Sequence, residues 1–246
     1  MAGWGLIKQL NTACVAILKA HTQSVNTLVG EVLASDIRNA KGVRMKALQL
    51  FSGGLDSFAL LDWLNYDGWK VRLFHVSYGQ RNRAQEQQAV AAAARFYQCE
   101  FDFLYVQDLA RLARGSIVTG RGDNKAAAYM PYRNQMLITL AGMAAFDEGI
   151  TELYTALHTS VYKDSQPQFL KMMNDLLEME GAKVHAPFIT KSKAQVLASQ
   201  PNAPYQLSWS CYGNGHYHCG FCVACKERQR AFLDAEVEDP TGYAIA

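Results

Sequence analysis

Apolar residues along this chain recur in two rhythms, and the changes of rhythm mark the elements. From residue 46 onward, short apolar runs alternate with stretches of helical period. KALQLF (46–51), KVRLFHVSYG (70–79), CEFDFLYVQ (99–107), ELYTAL (152–157) and KVHAPF (183–188) read as strands. Between them the pattern predicts a helix beginning over 58–65, and helices over 83–97, 136–148 and 168–179. Repeated strand–helix–strand spacing of this kind implies an α/β fold, a doubly wound parallel sheet with helices on both faces.

Upstream the rhythm is helical throughout. Leu6, Ile7, Leu10, Cys14, Ile17 and Leu18 recur at helical spacing, followed by Val25, Leu28, Val29, Val32 and Leu33. Residues 1–45 are expected to form a helical N-terminal extension, as two helices or one broken helix. The other reading of this segment is that Met45 is the natural start and the upstream residues are incidental. Residues 46–200 are expected to make the α/β domain, and 201–246 a C-terminal segment packed on it. Residues 110–130 show no clear period and hold three arginines with Gly, Asp and Asn, so they read as a long loop, a length that is usually functional or mobile.

Half of the 246 residues are hydrophobic and 19% are charged, enough to bury a full core. A formal charge of +2 argues neither for a nucleic-acid wrapper nor for a membrane-surface protein, and leaves room for local basic patches. No apolar run reaches the roughly 20 residues that span a bilayer, and Lys19 breaks the early apolar stretch TACVAILKAHTQ, which makes it a poor secretory signal. The expected location is the cytoplasm, with no direct membrane contact.

Cysteine usage adds the first chemistry. Cys211, Cys219, Cys222 and Cys225 give C-x7-C-x2-C-x2-C. Such clustering in a chain without a secretory signal points to a metal before disulfides, and four thiolates close a tetrahedral Zn2+ shell with no position for water. The zinc would then be structural, tying a C-terminal arm against the sheet. Paired disulfides and a redox C-x-x-C are the competing readings. His216 and His218 lie inside the loop as substitute ligands or bystanders, and Cys14 and Cys99 read as ordinary buried thiols.

The second chemistry sits where the first strand meets its helix, in SGGLDS (52–57). In a parallel sheet, ligands bind outside the carboxyl ends of the strands. Gly53 and Gly54 allow a tight turn, and Ser52, Asp56 and Ser57 surround a first helical turn whose free N–H groups attract an anion. The bland alternative is a glycine turn with a capped helix. The string is neither a Walker loop nor a G-x-G-x-x-G turn.

SGGLDS resembles the pyrophosphate loop S-G-G-x-D-S of the N-type ATP pyrophosphatases, the PP-loop superfamily. The later motifs YGQR (78–81), MPYRN (130–134), SWSCY (208–212) and CGFCVACKER (219–228) resemble, in that order, one family within it: the 7-cyano-7-deazaguanine synthases, QueC. The resemblance implies an adenine nucleotide α-hydrolase-like sheet, with ATP, Mg2+ and Zn2+ as cofactors. It also implies a deazapurine acid and ammonia as substrates, and a homodimer. Ser52, Gly53, Gly54, Leu55, Asp56 and Ser57 would cradle the pyrophosphate, and Asp56 would help hold Mg2+. Arg133 and Asn134 would clamp phosphate after the turn at Pro131, with Arg81 and Lys191 as further cations. Tyr78, Gln80, Tyr162, Asp164 and Phe169 would hold the acceptor. Asp56, Arg133 and Lys191 would carry the catalysis, and the four cysteines the zinc, which would keep Ser210, Tyr212 and Lys226 near the nucleotide.

The sequence departs from the family pattern in two places. Asn82 stands where the family has His after YGQR, and the acidic residue that follows appears as Gln85 with Glu86 beside it. YKDSQPQF (162–169) stands where the family reads Y-P-D-C-R-P-E-F, and the preceding ALHTSV is shortened. Losing that Arg and Glu removes charge-assisted contacts worth about 1.5–3 kcal/mol each. The expected activity is ATP-dependent conversion of a carboxylate to a nitrile. The alternatives are an enzyme that stops at the amide or takes another deazapurine, and one that adenylates a macromolecular partner in a multi-protein system. A tRNA-thiolating activity is disfavoured, because those relatives need a cysteine pair near the nucleotide and these cysteines have zinc spacing.

Overall fold

A computed structural model describes residues 45–106, 108–112, 118, 129–159 and 162–244. The helical extension expected over 1–45 lies, apart from Met45, outside the described residues, as does most of the loop expected over 110–130.

Five strands form one parallel sheet: β1 (Lys46–Leu50), β2 (Lys70–Ser77), β3 (Glu100–Tyr105), β4 (Glu152–Thr155) and β5 (Lys183–His185), in the order β3-β2-β1-β4-β5. Among the described residues the helices include α1 (Leu55–Tyr66), α2 (Arg83–Tyr97), α3 (Leu109–Leu112), α4 (Arg133–Phe146), α5 (Pro167–Leu177), α6 (Lys193–Ser199) and α7 (Val223–Ala235). All five strands and the four helical stretches read from the sequence are present. Two of those helices begin three residues earlier than expected, α1 at Leu55 and α4 at Arg133.

Alternation along the strands sorts the core into two layers. Ala47, Val71 and Leu73 pack with α1, α2, α6 and α7, whereas Leu48, Phe74 and Val76 pack with Ile138 and Ala141 of α4 and Met173 of α5. With both faces covered, β1 and β2 are buried or half-buried at every position after the first, polar Gln49, His75 and Ser77 included, as a doubly wound sheet requires. Helix α1 lies deep in one layer, which is why Phe58, Leu60, Leu61 and Leu64 on different sides of it are all buried.

Two C-terminal helices were not read from the periodicity. α6 starts at a capping box: Ser192 Oγ accepts from Gln195 N, and Gln195 Oε1 accepts from Ser192 N. α7 begins at Cys222, whose Sγ accepts from Cys225 N. One buried cation fastens this segment. The Arg228 guanidinium, 2% exposed, donates to Ser208 Oγ (2.7 Å), Ser210 Oγ (3.1 Å), Tyr205 O (2.9 Å) and Thr241 Oγ1 (2.6 Å), with Asp239 Oδ1 at 3.7 Å. Arg228→Ala would leave the Asp239 carboxylate without its counter-charge and remove four hydrogen bonds, so a stability loss of about 3–5 kcal/mol is expected. Urea unfolding followed by circular dichroism, with the slope unchanged, is the check.

Candidate active site and metal centre

The order of strands reverses at β1, and the crevice over the carboxyl ends of the sheet opens there. A cavity of about 390 Å3 occupies it, bounded by loop 52–57, the end of β2, the start of α4 and residues 209–212 of the C-terminal arm.

The loop is held by its own backbone and by three neighbours. Gly53 has φ +79°, and a Cβ there would lie 3.0 Å from both Ala89 Cβ and Glu86 O on α2, so only glycine fits. Gln49 Nε2 donates to Ser57 O from the strand (2.8 Å), and Trp209 N donates to Gly53 O from the arm (2.8 Å). Ser52 Oγ and Ser57 Oγ lie 3.0 Å apart. Ser52, Gly54, Leu55, Asp56 and Ser57 line the cavity, with Gly53 turned towards α2.

Asp56 meets a lysine and a histidine from two other segments. Lys193 Nζ bonds Oδ2, and His158 Nε2 lies 3.0 Å from Oδ1, while His158 Nδ1 donates to Lys191 O at 2.8 Å. Burial alone would push the Asp56 carboxyl up, but Lys193 and His158 outweigh it and hold it well below the usual range. The cation beside the loop is therefore Lys193 and not the expected Lys191. The helix start at Ser192 turns Lys193 inward, while exposed Lys191 sits 5.3 Å from the Phe188 ring. Arg81, also expected among the cations, is exposed and does not line the cavity.

On the opposite wall Arg133 opens α4 beside Tyr78, Tyr212 and Asp164. Asn134, Tyr78, Gln80 and Tyr162 line the cavity as well, and Tyr162 stacks on Tyr129 with ring centres 4.9 Å apart. Two residues expected to hold the acceptor do other work. Asp164 Oδ2 accepts from Asn134 N (3.2 Å) and its carbonyl accepts from Asn134 Nδ2 (2.8 Å), which anchors the start of α4. Phe169 packs in the layer of α4 and α5.

The sequence reading did not assign His75, Glu86, His158, Lys193 and Trp209 to the site. Glu86 carried a signal, since it flanked a noted departure, and so did His158, inside the altered ALHTSV stretch. Glu86 accepts from Gln80 Nε2 (2.7 Å) and Asn82 Nδ2 (3.1 Å), and burial still raises its carboxyl to about 7. Gln85, one position away on α2, reaches the cysteine loop instead, donating to Asn214 O and Gly215 O.

The Sγ atoms of Cys211, Cys219, Cys222 and Cys225 lie within 4.8 Å of one another, with Cys219–Cys225 at 3.9 Å and Cys222–Cys211 at 4.0 Å. A tetrahedron with Zn–S near 2.3 Å needs sulfurs about 3.8 Å apart, so the set fits zinc. None of the four is in a disulfide, which removes that reading. Backbone N–H groups of Gly213, Cys219, Cys222 and Cys225 donate to the sulfurs, as thiolates require. His218 Nε2 accepts from Ser210 N (3.1 Å) and His216 is exposed, so neither replaces a cysteine. The arm reaches the rest of the site through Asn82 Nδ2, which donates to Cys211 O (3.0 Å). Ser210 and Tyr212 line the cavity as expected, but Lys226 is exposed, and Ala224 and Glu227 take its place in the lining. Mg2+ fits less well. Both Asp56 oxygens are taken, Oδ2 by Lys193 Nζ and Oδ1 by the His158 ring, and Mg2+ needs free oxygens.

An S-G-G-x-D-S loop at the switch point of a five-stranded parallel sheet, with cations gathered on its Asp, defines a nucleotide-binding α/β protein of the PP-loop class. Within that class the chain belongs to the QueC family, whose sequence profile, described as Queuosine biosynthesis protein QueC, matches residues 46–236. It is similar to the 7-cyano-7-deazaguanine synthase of Methanothrix thermoacetophila, at 33% identity over 80% of this chain and 98% of that protein. The synthases of Archaeoglobus fulgidus (33%, covering 80% and 89%) and a Ruegeria species (32%, covering 81% and 94%) are comparable. Among solved structures, a 4-thiouridine synthetase–RNA complex with bound ATP aligns at TM-score 0.48 and 14% identity over 78% of this chain and 50% of its own, too distant to support an argument.

Two expectations follow. Metal analysis of the purified protein should find about one Zn2+ per chain, and a strong chelator should lower the melting temperature. The two buried carboxyls should give opposite pH signatures. The stabilisation from ionised Asp56 is lost as pH falls below about 4. Folded Glu86 keeps a proton that the unfolded chain releases between about 4.5 and 7, so its contribution falls as pH rises through that window. Glu86→Gln should flatten the stability curve there and gain on the order of 1–3 kcal/mol above it, read by urea unfolding at a series of pH values.

Proposed function

We propose that this chain is an ATP-dependent C–N ligase that converts the carboxylate of 7-carboxy-7-deazaguanine to the nitrile 7-cyano-7-deazaguanine, with ammonia as the nitrogen source. The observation that carries the reading is convergence. The family match spans loop 52–57, Arg133 and Lys193, and these residues, Gly53 apart, line the same cavity. The named relatives make a cyano compound, and the obstacle in that chemistry is oxygen as a leaving group, once towards an amide and again towards a nitrile. Transferring AMP from one ATP to the carboxylate oxygen, and from a second ATP to the amide oxygen, releases pyrophosphate each time. That oxygen becomes part of an acyl or imidoyl phosphate and departs as AMP.

Such a reaction depends mostly on positioning and electrostatics. Loop 52–57 and the first turn of α1 would receive the pyrophosphate, where unbonded N–H groups and the helix dipole favour an anion. Lys193 and Arg133 would neutralise charge on the phosphates, while Asp56 keeps Lys193 and His158 in place. Tyr162 offers a ring face for a flat heterocycle. Zinc in the four-cysteine cluster would hold the arm whose Trp209, Ser210 and Tyr212 close the cavity. Mg2+ would arrive on the nucleotide, and no step is assigned to it.

A second reading, an enzyme that stops at the amide or takes a different acceptor, is favoured by the 162–169 stretch. Asp164 there is committed to Asn134, and Gln166 and Gln168 replace charged groups of the family pattern. Incubation with ATP, Mg2+, ammonium chloride and 7-carboxy-7-deazaguanine, followed by mass spectrometry, separates the two. Nitrile with AMP is the expected result, amide alone supports an enzyme that stops at the amide, and no acid-dependent AMP overturns both of these and leaves a different acceptor. Lys193→Ala should lower kcat/KM for ATP by about 10²–10³-fold.

A further inference from the structure

Behind the glycine loop, one part of the cavity wall holds a buried acceptor without a donor beside a carboxylate. His75, on β2, is 2% exposed, and its Nδ1 donates to Phe51 O at 2.9 Å. Its Nε2 therefore presents a lone pair, and that atom has no hydrogen-bond partner. Glu86 Oε2 lies 3.8 Å away, beyond hydrogen-bond range, and both residues line the cavity. Gln80 Nε2 and Asn82 Nδ2 orient the carboxylate without neutralising it, and Arg133 is the cation that acts on it from across the cavity. A buried acceptor left unsatisfied is unfavourable, so the notch suits a small ligand that brings at least two donors of its own.

We propose that His75 and Glu86 form the ammonium subsite of this enzyme, a proposal that rests on the reading of the cavity as the place where a carbon–nitrogen bond is made. Ammonium donates one N–H to His75 Nε2 and another to Glu86 Oε2. Transfer of the second proton to Glu86 turns the carboxylate into the neutral acid and leaves NH3, whose freed lone pair is the nucleophile. His75 keeps its Nδ1 proton throughout and acts as a fixed acceptor. The burial that brings the Glu86 carboxyl to about 7 suits it to take a proton near neutrality.

The test uses the intact protein and two readouts. Protein with 15N-labelled histidine is titrated with ammonium chloride, and separately with potassium chloride at equal ionic strength. One histidine Nε2 resonance should move with ammonium, stay in place with potassium, and stay in place in Glu86→Gln. No shift, an equal shift with potassium, or an unchanged shift in the variant overturns the proposal. In the kinetic readout Glu86→Gln should raise KM for ammonium roughly tenfold or more, with a smaller fall in kcat at saturating ammonium. A rise in KM for ATP that matches the rise for ammonium would instead assign Glu86 a structural role and overturn the proposal. If the wild-type protein releases no AMP with the acid, the functional reading fails by itself, and the titration still decides whether the notch binds ammonium.

Discussion

The cavity depends on one close approach of backbone to backbone. At Gly53 the chain runs so near α2 that a single methyl group would meet Ala89 and the carbonyl of Glu86. Because no side chain intervenes, the loop can drop between β1 and α2 and present the start of α1 to the crevice. Gln49 from the strand and Trp209 from the C-terminal arm then secure it by hydrogen bonds to its backbone. The positions of Asp56, of the cations that meet it, and of the notch at His75 all follow from where this loop lies.

Two buried carboxylates flank the loop in opposite electrostatic states. Asp56 bonds an ammonium group and lies beside an imidazole, and it stays ionised. Glu86 is held by two neutral amides, and its ionisation sits near neutrality. One carboxylate organises fixed positive charge, while the other can gain and lose a proton. Two groups of the same chemistry take different parts because their neighbours differ.

Much of this was legible in the sequence, and the rest was hidden for specific physical reasons. Alternating strands and helices gave the sheet, its parallel sense and its ligand edge, and C-x7-C-x2-C-x2-C gave a cluster with zinc geometry. What could not be read was rotation about helix axes and the reach of loops. Lys191 and Lys193 differ by two residues, and only the helix start at Ser192 decides which one meets Asp56. Gln85 and Glu86 differ by one, roughly a 100° turn of α2, which sends one to the cysteine loop and the other into the cavity. Asp164 looked like a group for the acceptor, yet it serves the start of α4 through contacts that span 30 residues of chain.

The cysteine arm is coupled to the glycine loop along a short covalent path. Cys211 is two residues from Trp209, whose N–H holds Gly53 O, and the carbonyl of Cys211 accepts from both Trp209 Nε1 and Asn82 Nδ2. Free energy gained by ordering this segment around a metal is therefore shared with the loop that faces the cavity. Thermodynamic reciprocity would make such coupling run both ways: a ligand that fastens the loop would tighten the hold of the four thiols on a metal, by the same factor. A centre with no open coordination position can still govern the affinity of a neighbouring site, because it sets how much disorder the incoming ligand must remove.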